Sequence, residues 1–289
     1  MNRTTAKLII AAKLCVILPA QSFDVASVKL NTTNGPADSN FPLGPGDAYT
    51  PNGGRFWATG FPLALYIAFA YKLNGGQGQA LNQQLPAWAL SDRYDIEARA
   101  AGNPTKDEMR QLMRALLADR FKLAVHTESR ETPVAAVVLA KEGKLGAQLR
   151  RHPEGEPCPT TGVPPGASIE GGFPTLCGGL LGLTPSVPGR FRTGGRNITM
   201  VFIATALSGV TNNGRPLVDG TGLDGRFDFV LEWSPEITGP LTPSIADRID
   251  ATGPTFEQAL RDQLGLKLEA RKAPISRLIL DHVERPSEN

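Results

Sequence analysis

The chain repeats itself, and this repetition limits its fold more than any other feature of its 289 residues. Residues 54–56 (Gly-Arg-Phe) precede an apolar stretch at 62–71, and a second Gly-Arg-Phe at 189–191 precedes an apolar stretch at 198–207. Each pair is typical of a strand followed by a buried helix. The repetition predicts two related units rather than one irregular fold.

The same order of elements continues in each half. Alternating polar and apolar residues, typical of half-buried strands, occupy 92–98 and 225–233. An amphipathic helix is predicted after each run, because a capping box precedes a helical spacing of apolar residues. The capping pairs are Thr105 with Glu108 and Thr255 with Gln258.

Two β-rich runs are predicted after each amphipathic helix. They are residues 121–126 and 134–140 in the first half, and 266–270 and 275–283 in the second. The predicted fold class is therefore α+β, with two repeated β-α-β-α-β-β lobes. We expect each lobe to be a small mixed sheet with two helices on one face.

The predicted boundaries follow from composition. Residues 1–20 are expected to be a signal peptide, and 21–149 the first α+β lobe with its N-terminal strand. Residues 150–188, rich in Gly, Pro and Thr, are expected to be a linker, and 189–289 the second lobe.

Export is predicted from the N-terminal segment. Arg3 and Lys7 form a basic head before an apolar run at 8–18, and Pro19-Ala20 precede a polar start at Gln21. The alternative is a cytosolic protein whose first strand is apolar. A membrane span is not expected, because the run is shorter than the roughly 20 apolar residues that spanning needs and contains Lys13. The predicted location is the periplasm or the extracellular medium.

Charge argues against nucleic acid as a partner. Three of the 30 basic residues lie in the predicted signal peptide, so the mature chain would carry 27 basic against 28 acidic residues. No run of Lys or Arg remains that could neutralise successive phosphates.

The two cysteines of the predicted mature chain are expected to pair. Cys158 and Cys177 lie in the Gly/Pro-rich segment, and an exported protein favours a disulfide. The alternative is a metal site completed by His152, which would have three candidate ligands and no C-x-x-C spacing.

No motif of the chain predicts catalysis. Residues 220–225 match G-x-G-x-x-G, but a strand is predicted after the last glycine where a dinucleotide site needs a helix. The three histidines are scattered, and G-x-S-x-G, H-E-x-x-H and P-loop patterns do not occur. We therefore predict no catalytic residue, no cofactor and no metal.

Charged residues on the predicted strands allow a further interpretation. The carboxylates Asp95, Glu97, Asp228 and Glu232 have even spacings, so each pair could share one strand face. Paired acids could perform hydrolysis. The interpretation we prefer is a solvated face, because apolar residues occupy the alternate positions. The arginines that begin the strands are expected to pair with nearby acids or to cover aromatic rings.

The chain resembles a soil-associated bacterial family of exported proteins of unknown function. The stretches that carry the resemblance are residues 23–29 (FDVASVK), 91–98 (SDRYDIEA), 115–123 (ALLADRFKL), 218–228 (VDGTGLDGRFD) and 281–289 (DHVERPSEN). The resemblance implies export and provides no catalytic residues. Each repeat also resembles, in element order, the N-terminal domain of secretins and TonB-dependent receptors, a periplasmic module for protein contacts.

These features together predict a function in binding. We expect an exported, non-catalytic binding or protein-interaction module of the cell envelope, with sensing as one form of that role. Its partner would be an envelope protein or a small ligand. The alternative is a hydrolase with an active site between the two lobes.

Maturation of the chain is directly testable. Peptide mapping of unreduced protein isolated from its native host should find an N-terminus at or near Gln21 and one cross-link between Cys158 and Cys177. Soluble protein that retains Met1, or cysteines that alkylate without reduction, would contradict these expectations.

Overall fold

The computed structural model describes residues 22–286 except 34, 48, 157–168, 171, 210–214, 236–248 and 251. The predicted signal peptide and Cys158 therefore lie outside the described residues. The structure is a mixed α+β fold, as predicted. No helix among the described residues is long and apolar enough to cross a membrane.

The first part of the chain contributes nine elements. They are β1 (Val25–Asn31), β2 (Asp38–Ser39), β3 (Arg55–Pro62), α1 (Leu63–Ala70), α2 (Gly75–Asn82), α3 (Ala87–Ser91), β4 (Arg93–Arg99), α4 (Lys106–Arg120) and β5 (Ala124–Leu139). The predicted buried helix and the Thr105 capping box are both confirmed.

The second part begins with β6. Its elements are β6 (Leu149–Arg151), β7 (Ile169–Glu170), β8 (Phe173–Pro174), β9 (Leu180–Gly182), β10 (Phe191–Ile198), α5 (Met200–Leu207), β11 (Leu217–Asp219), β12 (Phe227–Trp233), α6 (Phe256–Ala259) and β13 (Leu266–His282). A π-helical turn at Leu260–Leu264 continues α6, and the Thr255 capping box is confirmed. We call residues 22–123 the first half and residues 149–265 the second half.

The two main sheets have the same arrangement of neighbours. The first has the order β1-β4-β3-β2 and the second the order β6-β12-β10-β9. In each sheet, an eight-residue strand leads into an eight-residue apolar helix. The chain later returns to form another inner strand of the same sheet. This correspondence is what the predicted duplication requires, and the duplication itself stays a prediction.

The ends of the two halves do not form separate lobes. Each pair of predicted β-rich runs is one long strand, and β5 and β13 pair antiparallel with each other from Leu139↔Leu266 to Ala124↔His282. The prediction of two self-contained sheets is therefore wrong at this point. In the sequence, the polar stretch at 127–132 indicates a break between two strands. In the structure this stretch is the exposed middle of a two-stranded ribbon, which needs no apolar face there.

The β5–β13 ribbon belongs to both hydrophobic cores. Ala135 and Val137 of β5 pack in the core of the second half. Leu278 and Leu280 of β13 pack against the core of the first half. The ribbon strand that follows each half thus helps to bury the other half's core, which joins the halves into one structure.

Each end of the ribbon has a further partner on its outer edge. At the second-half end, β11 pairs parallel with Ala135–Val137 of β5. At the first-half end, the side-chain amide of Gln84 donates to the carbonyl of Leu278 and accepts the backbone N–H of Leu280. The side chain of Gln84 thus makes edge hydrogen bonds of the kind that β11 makes at the other end of the ribbon.

The segment predicted as a linker is part of the second half. Its start extends β6, and β9 forms the opposite edge of the second sheet. Phe173 and Leu183 cover Val230 on the outer face of β12, so that strand is buried on both sides. The few apolar residues among the glycines and prolines of this segment are enough to cover β12. Because they are few, composition alone indicated a linker.

A carboxylate holds a β-bulge in each sheet. Two residues of β3, Thr59 and Gly60, lie opposite Asp95, which accepts hydrogen bonds from both. Arg196 and Asn197 of β10 lie opposite Asp228 in the same way, and Asp228 accepts the N–H of Asn197 at 3.0 Å. Gly60 and Asn197 have φ of 73° and 54°, values that favour Gly and tolerate Asn.

The prediction of a solvated carboxylate face is therefore wrong for three of the four acids. Asp228 is fully buried, Glu232 is 8% exposed and Asp95 is half-buried, while Glu97 is exposed. Asp228 also pairs with Arg150 and His152, and Glu232 accepts from Ser186. Strand alternation identifies a shared face but not whether another segment covers it.

Removal of the bulge carboxylates should destabilise the protein unequally. Asp228→Ala should cost about 3 kcal/mol, because it removes a fully buried carboxylate that pairs with both His152 and Arg150. Asp95→Ala should cost about 1–2 kcal/mol, since its partners are neutral and partly exposed. Urea unfolding measures both, with the exposed Glu97→Ala as the control. Equal costs for all three would contradict this role.

Candidate functional site

A cleft of about 540 Å³ lies between the two halves. The first half lines it with the loop at 42–47 and with residues 72–77, which connect α1 to α2 and form the first turn of α2. The second half lines it with the loop at 176–180 and one side of α5. A cavity of this size is typical of sites for small molecules.

One wall of the cleft is apolar and comes from α5. Val201 is 59% exposed and Phe202 is half-buried, although the other face of this helix is packed in the core. Leu180 of β9 adds to the same wall. An exposed apolar surface inside a concavity is a common feature of ligand sites.

The opposite wall is basic. Lys106 is the first residue of α4, and Lys72 follows α1 with a left-handed φ of 53°. Lys72 forms an ion pair with Asp47 at 2.6 Å. Lys106 is only 4% exposed although lysine side chains usually extend into water.

Arg110 fixes the loop that brings the halves together here. Its guanidinium is 1% exposed, donates to the carbonyls of Pro45 and Gly46 and pairs with Asp47. Gly46 lies so close to the second half that an added Cβ would be 1.8 Å from the carbonyl oxygen of Gly178. A side chain at position 46 would therefore force the two loops apart.

The basic wall has an altered protonation equilibrium. Burial and, to a smaller extent, the nearby Arg110 and Lys72 together lower the pKa of Lys106 to about 7, against the opposing effect of Asp47 and Asp107. Lys106 is therefore close to half-protonated near neutral pH. Three cationic side chains face two carboxylates at this end of the cleft.

The start of α2 faces the same cleft. Asn74 caps this eight-residue helix, and Gly75 and Gln77 line the cleft beside Lys72. A Cβ at Gly75 would contact no atom, so packing within the chain does not require glycine there. The helix dipole adds a modest positive potential to the basic wall.

A second concavity extends the cleft toward the ribbon. It has a volume of about 390 Å³ and shares Asn74, Gln77 and Thr205 with the cleft. Its other walls are the start of β11 and residues 274–278 of β13. The site is therefore elongated and continues to the strands that join the halves.

The polar groups that line the cleft are engaged in structural contacts rather than in a catalytic pair. Thr199 accepts the N–H of Phe202 as a helix cap, and Thr205 donates to the carbonyl of Val201. Asp47 is the carboxylate among the described lining residues and is paired with Lys72 and Arg110. None of those lining residues is a histidine.

The cysteine prediction stays open. Cys177 lines the cleft and is 4% exposed, and its predicted partner Cys158 lies outside the described residues. His152, considered above as a metal ligand with the cysteines, instead contacts Asp228 at 2.7 Å.

The group formed by His152, Glu156 and Asp228 does not fit a metal ion. Their ligand atoms lie within 4.8 Å of one another. Arg150, however, donates to Asp228 at 3.0 Å, and Arg196 pairs with Glu156 at 2.8 Å. The two guanidiniums already neutralise the carboxylates, so we interpret the group as an ion-pair network that supports the bulge.

Other sequence patterns have structural roles. Residues 220–225 connect β11 directly to β12, so the G-x-G-x-x-G match is a turn, as predicted. Of the strand-start arginines, Arg190 pairs with Asp250 at 2.7 Å and Arg226 donates to the carbonyl of Asn197. Trp57 of β3 is 39% exposed on the outer face of the first sheet.

Sequence reasoning missed the lysines of the cleft. A lysine at the start of a capped helix is usually exposed, so the local sequence does not indicate that Lys106 is buried beside the cleft. Two features of the sequence could have drawn attention to the cleft. They are the Gly-Pro-Gly-Asp run at 44–47 and the glycines of 75–78 at a helix start.

Burial of Lys106 should make stability depend on pH. The pKa of Lys106 in the folded state, about 7, is below its ordinary value of 10.5, so between these values the unfolded chain binds more protons. The free energy of unfolding should therefore rise with pH in that window. Relative to wild type, Lys106→Met should lack this rise in urea titrations, whereas the exposed Lys141→Met should retain it. A wild-type minus Lys106→Met difference that is constant over the window would contradict the prediction.

Comparisons with known proteins identify the family. A model of protein family DUF3738, described as a protein of unknown function, matches residues 64–283, which include β4 of the first sheet, both central strands of the second sheet and the ribbon. No curated protein and no solved structure matches the chain. The match covers well over half of the chain, and the protein therefore belongs to the DUF3738 family of unknown function.

Proposed function

We propose that the protein is a non-catalytic binding module of the cell envelope whose ligand site is the cleft between its two halves. The observation that carries this proposal is the wall composition of the cleft. An exposed apolar surface at Val201 and Phe202 faces a buried lysine and an ion-paired lysine across a cavity of about 540 Å³.

The position of the cleft suits recognition. Its walls come from both halves, so a bound molecule would contact the 42–47 loop and α5 at once. Such a ligand would favour one separation of the two halves over others. A sensory role would use that change in the relative positions of the halves.

The hydrolase alternative receives less support from the same residues. Hydrolysis by a side chain needs a nucleophile within hydrogen-bond reach of a base. The threonines that line the cleft bond to the α5 backbone, and Asp47 is paired with two cations. The walls described here therefore favour binding over chemistry.

Location in the envelope rests on the sequence. The basic and apolar pattern of residues 1–20 and the expected disulfide between Cys158 and Cys177 both favour export. We also propose that the protein family is associated with soil bacteria. A further part of the proposal is that each repeat is related to the N-terminal module of secretins and TonB-dependent receptors. Protein partners would then bind exposed surfaces outside the cleft.

A blocked cleft tests the proposal. Val201→Trp should fill the apolar wall, and Val25→Trp places the same side chain on the outer face of the first sheet, where Val25 is 70% exposed. The wild type and both variants are screened by thermal shift against size-fractionated small molecules from the host envelope. A fraction that raises the Tm of the wild type and of Val25→Trp, but not of Val201→Trp, supports the cleft as the site.

Other results would contradict the proposal. If active fractions stabilise all three proteins equally, the ligand binds elsewhere. If no fraction stabilises the wild type, the cleft does not bind an envelope metabolite. If mass spectrometry finds that the wild type converts the stabilising compound while Val201→Trp does not, the cleft is catalytic.

A further inference from the structure

We propose that the outer face of the first sheet binds a second copy of the chain and forms a two-fold symmetric dimer. This face lies on the side of the sheet away from the core, and its residues come from β1, β4 and β3. It shares no lining residue with the cleft. The inference therefore goes beyond the proposed function and does not depend on it.

The corresponding face of the second sheet is covered by the chain itself. Val230 and Gly194 are cross-strand neighbours on that face, and apolar side chains of residues 173–183 pack over Val230. The cover is close, since a Cβ added at Gly194 would lie 3.0 Å from side-chain atoms of the same segment. A sheet with this arrangement of strands is thus able to bury both of its faces.

The same face of the first sheet is open among the described residues. Counted from the bulge carboxylates, Glu97 occupies the position that Val230 has in the second sheet. Its cross-strand neighbour, Trp57, corresponds to Gly194. Glu97 is exposed, and Trp57 is 39% exposed. The position that is sealed in the second half is therefore an accessible surface on the first half, and it presents a large aromatic side chain.

The charges on this face form two rows across the sheet. In one row, Arg99 of β4 lies directly opposite Arg55 of β3, and in the next row Glu97 lies opposite Trp57. All four side chains are exposed. Among the described residues, none of the three charged groups forms an ion pair or a side-chain hydrogen bond. Like charges directly opposite each other destabilise a sheet, so a single chain gains no stability from the arginine row.

A two-fold axis makes the two rows complementary. The axis lies in the plane between two sheets that face each other, runs across the strands and passes midway between the rows. Rotation about it reverses the strand direction, so each row of one copy faces the other row of its partner. Arg99 then faces Glu97 of the second copy, and Arg55 faces Trp57 of the second copy. Each contact occurs twice, which is the property of an isologous interface.

These contacts are favourable between two copies and absent within one. The Arg99–Glu97 pair is an ion pair, and an arginine over a tryptophan ring is a cation–π contact. Sheets that pack face to face lie about 10 Å apart, with strand axes within about 30° of each other. The two rows border a hollow of about 580 Å³, which gives the long side chains of the partner room to enter.

A second copy fits this face better than other partners do. An acidic protein would pair with both arginines but would place its own carboxylates near Glu97. A purely apolar partner would bury three charges without counter-ions, which is strongly unfavourable. A second copy supplies a partner for every group of the two rows. Because the face is polar as well as apolar, we expect a reversible dimer with a Kd in the micromolar range.

Sedimentation velocity of the native protein, over a concentration series that spans the micromolar range, tests the dimer. The wild type should change from monomer to dimer along the series. Arg99→Glu and Glu97→Arg each place like charges across the interface, so each should weaken self-association by at least about tenfold. Glu142→Arg makes the same change of charge on an exposed turn and should match the wild type.

A mixture of the two charge-reversal variants distinguishes this interface from a general loss of structure. In a mixed pair, the glutamate introduced at position 99 faces the arginine introduced at position 97. The unchanged Glu97 of one copy faces the unchanged Arg99 of the other. A one-to-one mixture of Arg99→Glu with Glu97→Arg should therefore form a heterodimer of nearly wild-type affinity, although neither variant self-associates. A chain that carries both substitutions should regain self-association.

The outcomes decide the proposal. A wild type that stays monomeric throughout the series overturns it, as does a dimer that Arg99→Glu and Glu97→Arg leave intact. If both variants are monomeric and their mixture is monomeric too, the two rows do not face each other and the pairing is wrong. None of these results bears on the cleft, which Val201→Trp tests separately.

Discussion

The antiparallel pairing of β5 with β13 is the interaction on which the rest of the structure depends. Each strand follows one half of the chain, yet each contributes apolar side chains to both cores. The ribbon therefore fixes where the halves lie relative to each other. The cleft follows from this placement, because the 42–47 loop and α5 meet only when the halves are joined as they are.

Within each half, a carboxylate holds the β-bulge that precedes the apolar helix. Asp95 and Asp228 accept the backbone N–H groups that the bulges leave without a cross-strand partner. Each bulge lies just before the helix, so it determines where α1 and α5 begin. Lys72 follows the first of these helices and Val201 lies on the second, which links the bulges to both walls of the cleft.

Sequence reasoning predicted the elements well and the relations between them poorly. The apolar helices and both capping boxes are where periodicity and cap residues indicate, because these are local properties. The ribbon was missed, since its exposed middle at 127–132 is polar and has no apolar alternation. Asp228 was assigned to solvent because the cover from Phe173 and Leu183 comes from a segment without regular periodicity. The burial of Lys106 was missed as well, since a lysine at the start of a capped helix is usually exposed.

A crystal structure of the protein with the apolar probe N-phenyl-1-naphthylamine tests the central claim most directly, that the joined halves form a ligand site with an exposed apolar wall. The account predicts the aromatic rings of the probe in the cleft, against Val201 and Phe202. A probe bound on the outer face of the first sheet near the exposed Trp57, with the cleft empty or closed, would contradict it.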